Sequence, residues 1–218
     1  MNALTFLSDK KPLEAAIARL EQRSAAEVVC VVATESGRYD RAESFIGFLL
    51  GLVGLAVAES AWSALHGSWG SPTPLTVQAA GVVIGFVVGL VLGSYVHPLR
   101  RALVSRTELE EEVNRGAAAA FTASRVGATA GRVGVLVYVS LFEHRVVVLL
   151  DSGVKALVPA EFASQLVDRA VAGLKAGKKT EALAELVDLL GETLAQKLPA
   201  RPDDADELPN HVIALHPR

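Results

Sequence analysis

The sequence predicts an α/β protein: a small three-layer α/β/α domain with a two-helix transmembrane hairpin inserted after the first strand. Three observations lead there. Two apolar runs, Phe45–Ala58 and Leu75–Val96, flank a short segment of Gly, Ser, Pro and Trp. Three short β-rich runs, Glu27–Thr34, Gly134–Leu141 and Arg145–Leu150, are separated by stretches of helical period. The first β run precedes the apolar pair and the other two follow it. The domain is therefore expected to be discontinuous, built from residues 1–43 and 98–198 around a hairpin at 44–97, with a disordered tail at 199–218.

The elements follow in order. Asp9 is placed to cap a helix over Lys10–Arg23, with Leu13, Ile17 and Leu20 on one face. Glu27–Thr34 is almost unbroken valine and suits a strand buried on both faces. A turn at Ser36–Gly37 leads into the hairpin. Beyond it, Arg101–Val126 reads as one long helix, exposed at Glu108, Glu110, Glu111 and Glu112, with a run of small residues, Ala117–Ala120, able to lie flat on a sheet. The two later strands form an antiparallel hairpin through Phe142-Glu143-His144. Pro159 marks the start of a helix burying Phe162, Leu166, Val167 and Val171. After a break at Gly177 a last helix, Thr180–Lys197, is capped by Thr180 and carries Leu183, Leu186, Val187, Leu190 and Leu194 as its apolar stripe. A helical crossover joins the first two strands, so they are expected to be parallel, with helices on both faces.

Leu75–Val96 contains no charged residue and is long enough to cross about 30 Å of hydrocarbon. A soluble helix apolar all round at that length needs a larger protein to bury it. The first run spans only if it continues to Trp62, giving spans of about 45–62 and 75–96; the alternative is a re-entrant or buried core helix. Glu59 then sits near the far interface, and Trp62 and Trp69 at headgroup level. Gly81, Gly85, Gly89 and Gly93 recur every fourth residue, as do Gly47 and Gly51. Such spacing clears a helix face for close packing, either within one hairpin or between two copies. The segment Ser60–Pro74 carries no Lys or Arg, whereas Arg38, Arg41, Arg100, Arg101 and Arg106 flank the other ends. The expectation is a multi-pass protein of the inner (cytoplasmic) membrane with the soluble domain and both termini cytoplasmic. Met1–Pro12 lacks the apolar core of a signal peptide.

The 218 residues and 51% hydrophobic content average two unlike parts. Net charge is −3 and no basic stripe points to nucleic acid. The lone Cys30 allows no intrachain disulfide and suits a reducing compartment. The acidic cluster Asp203, Asp204, Asp206 and Glu207 reads as solvated tail. There is no glycine-rich phosphate loop, nucleophile elbow or Cys/His ligand pair, and His66 and His144 stand alone.

The stretch from Thr129 to Val154 combines Thr129-x-x-Arg132, Gly134-Val-Leu, a strand ending in Ser140, the turn Glu143-His-Arg145, and a strand ending in Asp151-x-Gly153. This pattern resembles the TPM domain family. That family includes thylakoid-lumen acid-phosphatase-like proteins, photosystem II repair factors and many bacterial membrane-associated relatives. The resemblance implies the same α/β/α fold. It implies, for some members, a divalent cation such as calcium held at acidic loops, a weak acid phosphatase activity, or a scaffolding role in membrane-protein repair or stress.

On the residues themselves, Asp151 suits either a cation site or an Asx-turn. Glu35 and Asp40, with Ser36 and Glu43, follow the first strand and would converge on Asp151 if the strands are neighbours. Glu143 and Arg145 are expected to pair with each other or with the membrane-proximal helix, most simply as a surface ion pair, and Arg132 reads as an anion contact, a snorkelling cation or a helix-end contact. The function expected first is a non-catalytic, membrane-anchored interaction, assembly or stress-related module, with the lipid bilayer and a membrane protein or second copy as partners. The alternatives are a weak metal-dependent phosphatase or calcium-binding module and, against the lack of polar lining, a small oligomeric channel.

Overall fold

A computed structural model describes residues 2–67, 71–200, 208 and 212–215. The chain divides into two units: residues 1–37 with 109–218, and residues 38–108.

The first unit is built on β1 (Glu27–Ala33), β2 (Gly134–Ser140), β3 (Arg145–Leu150) and β4 (Ile213–Leu215), in the spatial order β3-β2-β1-β4. β1 and β2 are parallel, with Glu27 beside Gly134 and Ala33 beside Ser140. β2 and β3 are antiparallel, with Ser140 opposite Arg145. Every residue of β1 and β2 is buried, as a near-continuous valine run requires when both sheet faces are covered.

Alternate side chains feed two cores. Val28, Cys30, Val32, Val135, Val137 and Val139 pack under α1 (Ala3–Phe6), α2 (Lys11–Glu21), α8 (Phe162–Lys175) and α9 (Lys179–Lys197). Val29, Val31, Leu136 and Tyr138 pack under α6 (Arg106–Ala123) through Val113, Ala117 and Ala120. The α/β/α layering is as expected, and Leu13, Ile17, Leu20 and the α9 stripe are buried as their spacing predicted.

Four local expectations need correction. The 199–218 tail contributes β4, parallel to β1, with the Thr34 amide donating to the Leu215 carbonyl at 3.0 Å. The acidic cluster at 203–207 lies outside the described residues, as does Trp69. The long helix at 101–126 is two, α5 (His97–Leu103) and α6, broken at Val104–Ser105. There the Ser105 hydroxyl accepts from the Glu108 amide at 3.1 Å and restarts the helix. Thr180 lies inside α9 and is buried, with Lys178 at the cap. Asp9 does accept from the Lys11 amide, at 3.3 Å, but Lys10 occupies the cap position.

The second unit holds α3 (Asp40–His66), α4 (Leu75–Tyr95) and α5. Both long helices are long and apolar enough to cross a membrane, and within their most apolar windows only 17% and 6% of residues are buried. They are thus not soluble core helices, since little of their apolar surface is covered by the protein.

Candidate functional site

Three polar constellations stand out, one at each end of the sheet and one paired across the hairpin.

At the carboxyl ends of β1 and β2, Ala33 and Ser140 are register partners. The chain leaving β1 carries Ser36 back over Tyr138 and Ser140. The Ser36 hydroxyl lies 2.6 Å from the Ser140 hydroxyl and 2.9 Å from the Tyr138 hydroxyl. Glu143, in the turn after β2, is fully buried. One of its oxygens accepts from the Ser36 amide at 2.9 Å and the other from the Ser140 hydroxyl. Of the two pairings open to Glu143 and Arg145, the one with each other is not formed, and Arg145 pairs with Glu110 of α6, the helix that follows the hairpin. Burial pushes the Tyr138 phenol up; its hydrogen bond to Ser36 opposes this and the Glu143 charge adds to it. The phenol thus stays protonated at neutral pH and available to donate. A Cβ at Gly116 of α6 would come 2.6 Å from the Tyr138 oxygen, so only glycine lets the helix lie this close. Carboxyl ends of parallel strands are where α/β sheets place ligands. Here the groups are turned on one another and tie the β2–β3 turn to the segment leaving β1.

At the opposite end, Asp151 follows β3, its amide donating to the Gly134 carbonyl. Its Oδ1 accepts from the Ser152 amide at 2.6 Å, capping the short helix α7 (Ser152–Lys155), and lies 3.8 Å from the exposed Arg132 guanidinium. Its Oδ2 is buried with no hydrogen-bond partner among the described residues. The buried Thr129 hydroxyl accepts from the Val133 amide at 3.1 Å. Gly153 abuts the Gly131 and Arg132 carbonyls, leaving no room for a side chain. Arg132 holds a positive φ of 59°, an uncommon backbone state outside glycine. The family-motif residues thus split. Thr129, Arg132, Gly134, Asp151 and Gly153 share this end, while Ser140, Glu143 and Arg145 share the other.

Glu35 leaves the carboxyl end of β1, so roughly 20 Å of strand separates it from Asp151. Asp40 opens α3 in the second unit. The three carboxylates considered as one cation site are not brought together, and no three His, Cys, Asp or Glu among the described residues cluster as a metal site would. Asp151 remains as a lone candidate ligand.

In the hairpin the glycines pair α3 with α4. A Cβ at Gly54 would overlap the Gly81 carbonyl, and one at Gly85 the Leu50 carbonyl. One at Gly89 would come 2.6 Å from the Gly47 Cα. Gly51 faces Val82, and Gly93 faces Glu43. Two polar belts bound this seam. Below, Glu43 accepts from Arg100 of α5 at 2.9 Å and from Ser94 at 3.2 Å, with the Arg100 guanidinium 5.9 Å from the Tyr39 ring centroid. Above, Glu59 accepts from Thr73 at 2.7 Å and Gln78 at 2.6 Å, and Trp62 donates to the Ser71 carbonyl at 3.1 Å. The belts lie sixteen residues apart on both helices, 43 to 59 and 78 to 94, or about 24 Å along the axis. Sequence reasoning missed the partners of Glu59, because they are hydroxyl and amide groups and not a second charge.

Residues 99–193 match the family model of the TPM domain. The solved NMR structure of BA42 protein from the psychrophilic bacterium Bizionia argentinensis sp. nov. is similar in fold. Its TM-score is 0.57 at 16% identity, over 95% of this chain and 92% of that chain. No curated protein matches.

Proposed function

We propose that this chain, whose residues 99–193 match the TPM domain model and whose β1 precedes the apolar hairpin in sequence, is a membrane-anchored interaction and assembly module. It works at the cytoplasmic face of the inner membrane and catalyses no reaction. The hairpin carries the reading. Its glycines are spent on pairing its own two helices, and side chains such as Phe48, Leu52, Val83 and Val87 are left pointing outward. Helices sealed on each other in this way serve as an anchor, and their outer faces meet lipid or a neighbouring membrane protein. The hydroxyl–carboxylate cluster around Glu143 supports a holding role, because Ser36, Ser140 and Glu143 are engaged with one another.

Orientation and partnership are tested together. A reporter active only outside the cytoplasm, inserted between Gly67 and Pro74, is expected to be active, and the same reporter at the C-terminus inactive. The full chain, gently solubilised, is expected to bring down a membrane-protein partner reproducibly. Recovery of a bare monomer under every detergent condition would sink the assembly reading.

A second reading, cation binding or a weak phosphatase activity at Asp151, is favoured by its buried, unpartnered Oδ2. One lone carboxylate falls short of the six or more oxygens calcium prefers, so backbone carbonyls and water would complete the shell. Calcium titration followed by melting temperature and by hydrolysis of a chromogenic phosphate ester decides it. The reading expects a calcium-dependent rise in melting temperature that Asp151→Asn removes; no rise in the wild type excludes it.

A further inference from the structure

We infer that the groove between the end of α6 and the β1–β4 edge of the sheet binds a fatty-acid anion, with its acyl chain on the sheet and its carboxylate on Arg125. The site belongs to the first unit alone and does not depend on the membrane-anchored reading.

The groove has a volume of about 430 Å³, within the range of about 300–1,000 Å³ usual for small-molecule sites. Its floor is the sheet. Val31 of β1 lies beside Ile213 of β4 in the parallel register, and Leu215, two residues further along β4, turns to the same face. Its wall is the last turn of α6, where Ala120 and Ala123 present only methyl groups. These short side chains leave the channel over the sheet open, so that Leu215 is still 39% exposed.

Arg125 supplies the polar end. Of the residues lining the groove it alone is charged, and no carboxylate lines it. Arg125 is exposed and has no ion-pair partner among the described residues. It closes α6: its amide donates to the Thr122 carbonyl at 3.1 Å and its φ is 54°. Helices commonly end on a residue in this left-handed state, which glycine adopts most readily. An arginine here holds a cation at the groove that glycine would not supply. An apolar channel with one guanidinium complements a molecule with one apolar chain and one anionic head, and the guanidinium fork matches both oxygens of a carboxylate. The carbonyls at the end of α6 carry negative partial charge, which disfavours a dianionic phosphate more than a carboxylate. Each methylene buried in the groove is worth up to about a fourfold change in affinity, and the charged hydrogen bond about tenfold.

The test uses the full chain in lipid nanodiscs. The probe is decanoate carrying a photoreactive diazirine in its chain, and the labelled peptides are identified by mass spectrometry after irradiation. Labelling is expected within residues 120–125 and 212–215. Unlabelled decanoate is expected to displace the probe about tenfold better than decanol, which lacks the charge, and about tenfold better than octanoate, which lacks two methylenes. R125Q is expected to weaken labelling about tenfold. A123W, which fills the groove from an exposed position, is expected to abolish labelling at an unchanged melting temperature; if it does not fold, R125Q decides. R169Q, at an exposed arginine of α8, is expected to label as the wild type does. Absence of label from these residues overturns the inference, as does equal displacement by decanol. Labelling that R125Q leaves unchanged, or that R169Q weakens equally, overturns it too, and so does labelling that persists in folded A123W.

Discussion

Glu143 shows how much a single residue's surroundings decide. In sequence it is the polar apex of a two-strand hairpin, beside His144 and Arg145. In the structure it has no exposed surface, and its carboxylate accepts from Ser36, 107 positions away. No local pattern signals that burial, because the covering segment is brought over only when β1 pairs with β2. Asp151 was more legible. A carboxylate between a strand end and a glycine reads directly as an Asx-type cap, and its Oδ1 has that role. Removing the Glu143 carboxylate strips acceptors from the amide of half-buried Ser36 and the hydroxyl of buried Ser140. Glu143→Ala should therefore lower stability by about 1–3 kcal/mol, the cost of leaving such groups unpaired. Glu143→Gln, which keeps one carbonyl oxygen, should recover part of it. Urea midpoints of the full chain in detergent measure both; an Ala variant as stable as the wild type would mean that the carboxylate only fills space.

Elements were legible where their signal is periodic and invisible where pairing alone makes them. α2 and α9 follow their apolar stripes, because a face that repeats every three to four residues can be buried in only one way. The valine runs of β1 and β2 announced strands covered on both sides. The glycines announced a close helix contact, but a stripe of small residues does not say which helix it meets; the antiparallel pairing of Gly54 with Gly81 and Gly47 with Gly89 answers that. β4 was missed for a physical reason. Ile213–Leu215 is three residues long and follows an acidic, proline-bearing stretch, so it has no pattern of its own. It is a strand only because β1 offers an open parallel edge, and it leaves that edge covered. The break between α5 and α6 was missed for a different reason. The signal was there in Ser105-Arg-Thr-Glu108, the Ser-x-x-Glu spacing of a helix start, and Ser105 does start a new cap while Arg100 is drawn onto Glu43.

At the scale of the whole molecule, the insertion of a membrane hairpin into a β–α–β crossover poses a folding question. Strand β1 must find β2 across more than a hundred residues, 27 to 134, with two apolar helices between them. If each unit holds its own core, the hairpin is dispensable for the sheet. The first unit has two buried clusters drawn wholly from residues 1–37 and 109–218. Its cut ends are also close: a Cβ on Gly116 would lie 3.3 Å from the Ser36 Cβ, and Leu109 is only about 10 Å of helix from Gly116. A flexible linker of about eight Gly and Ser residues easily covers that gap. Replacing residues 38–108 by such a linker should therefore give a soluble, monomeric protein without detergent. Amide-to-amide NMR contacts across β1–β2 and β1–β4 should be retained, and the protein should be absent from the membrane fraction that holds the full chain. Aggregation or loss of the β1–β2 contacts would mean instead that the sheet forms only when the hairpin brings its two halves together, so that insertion into the bilayer precedes folding of the domain.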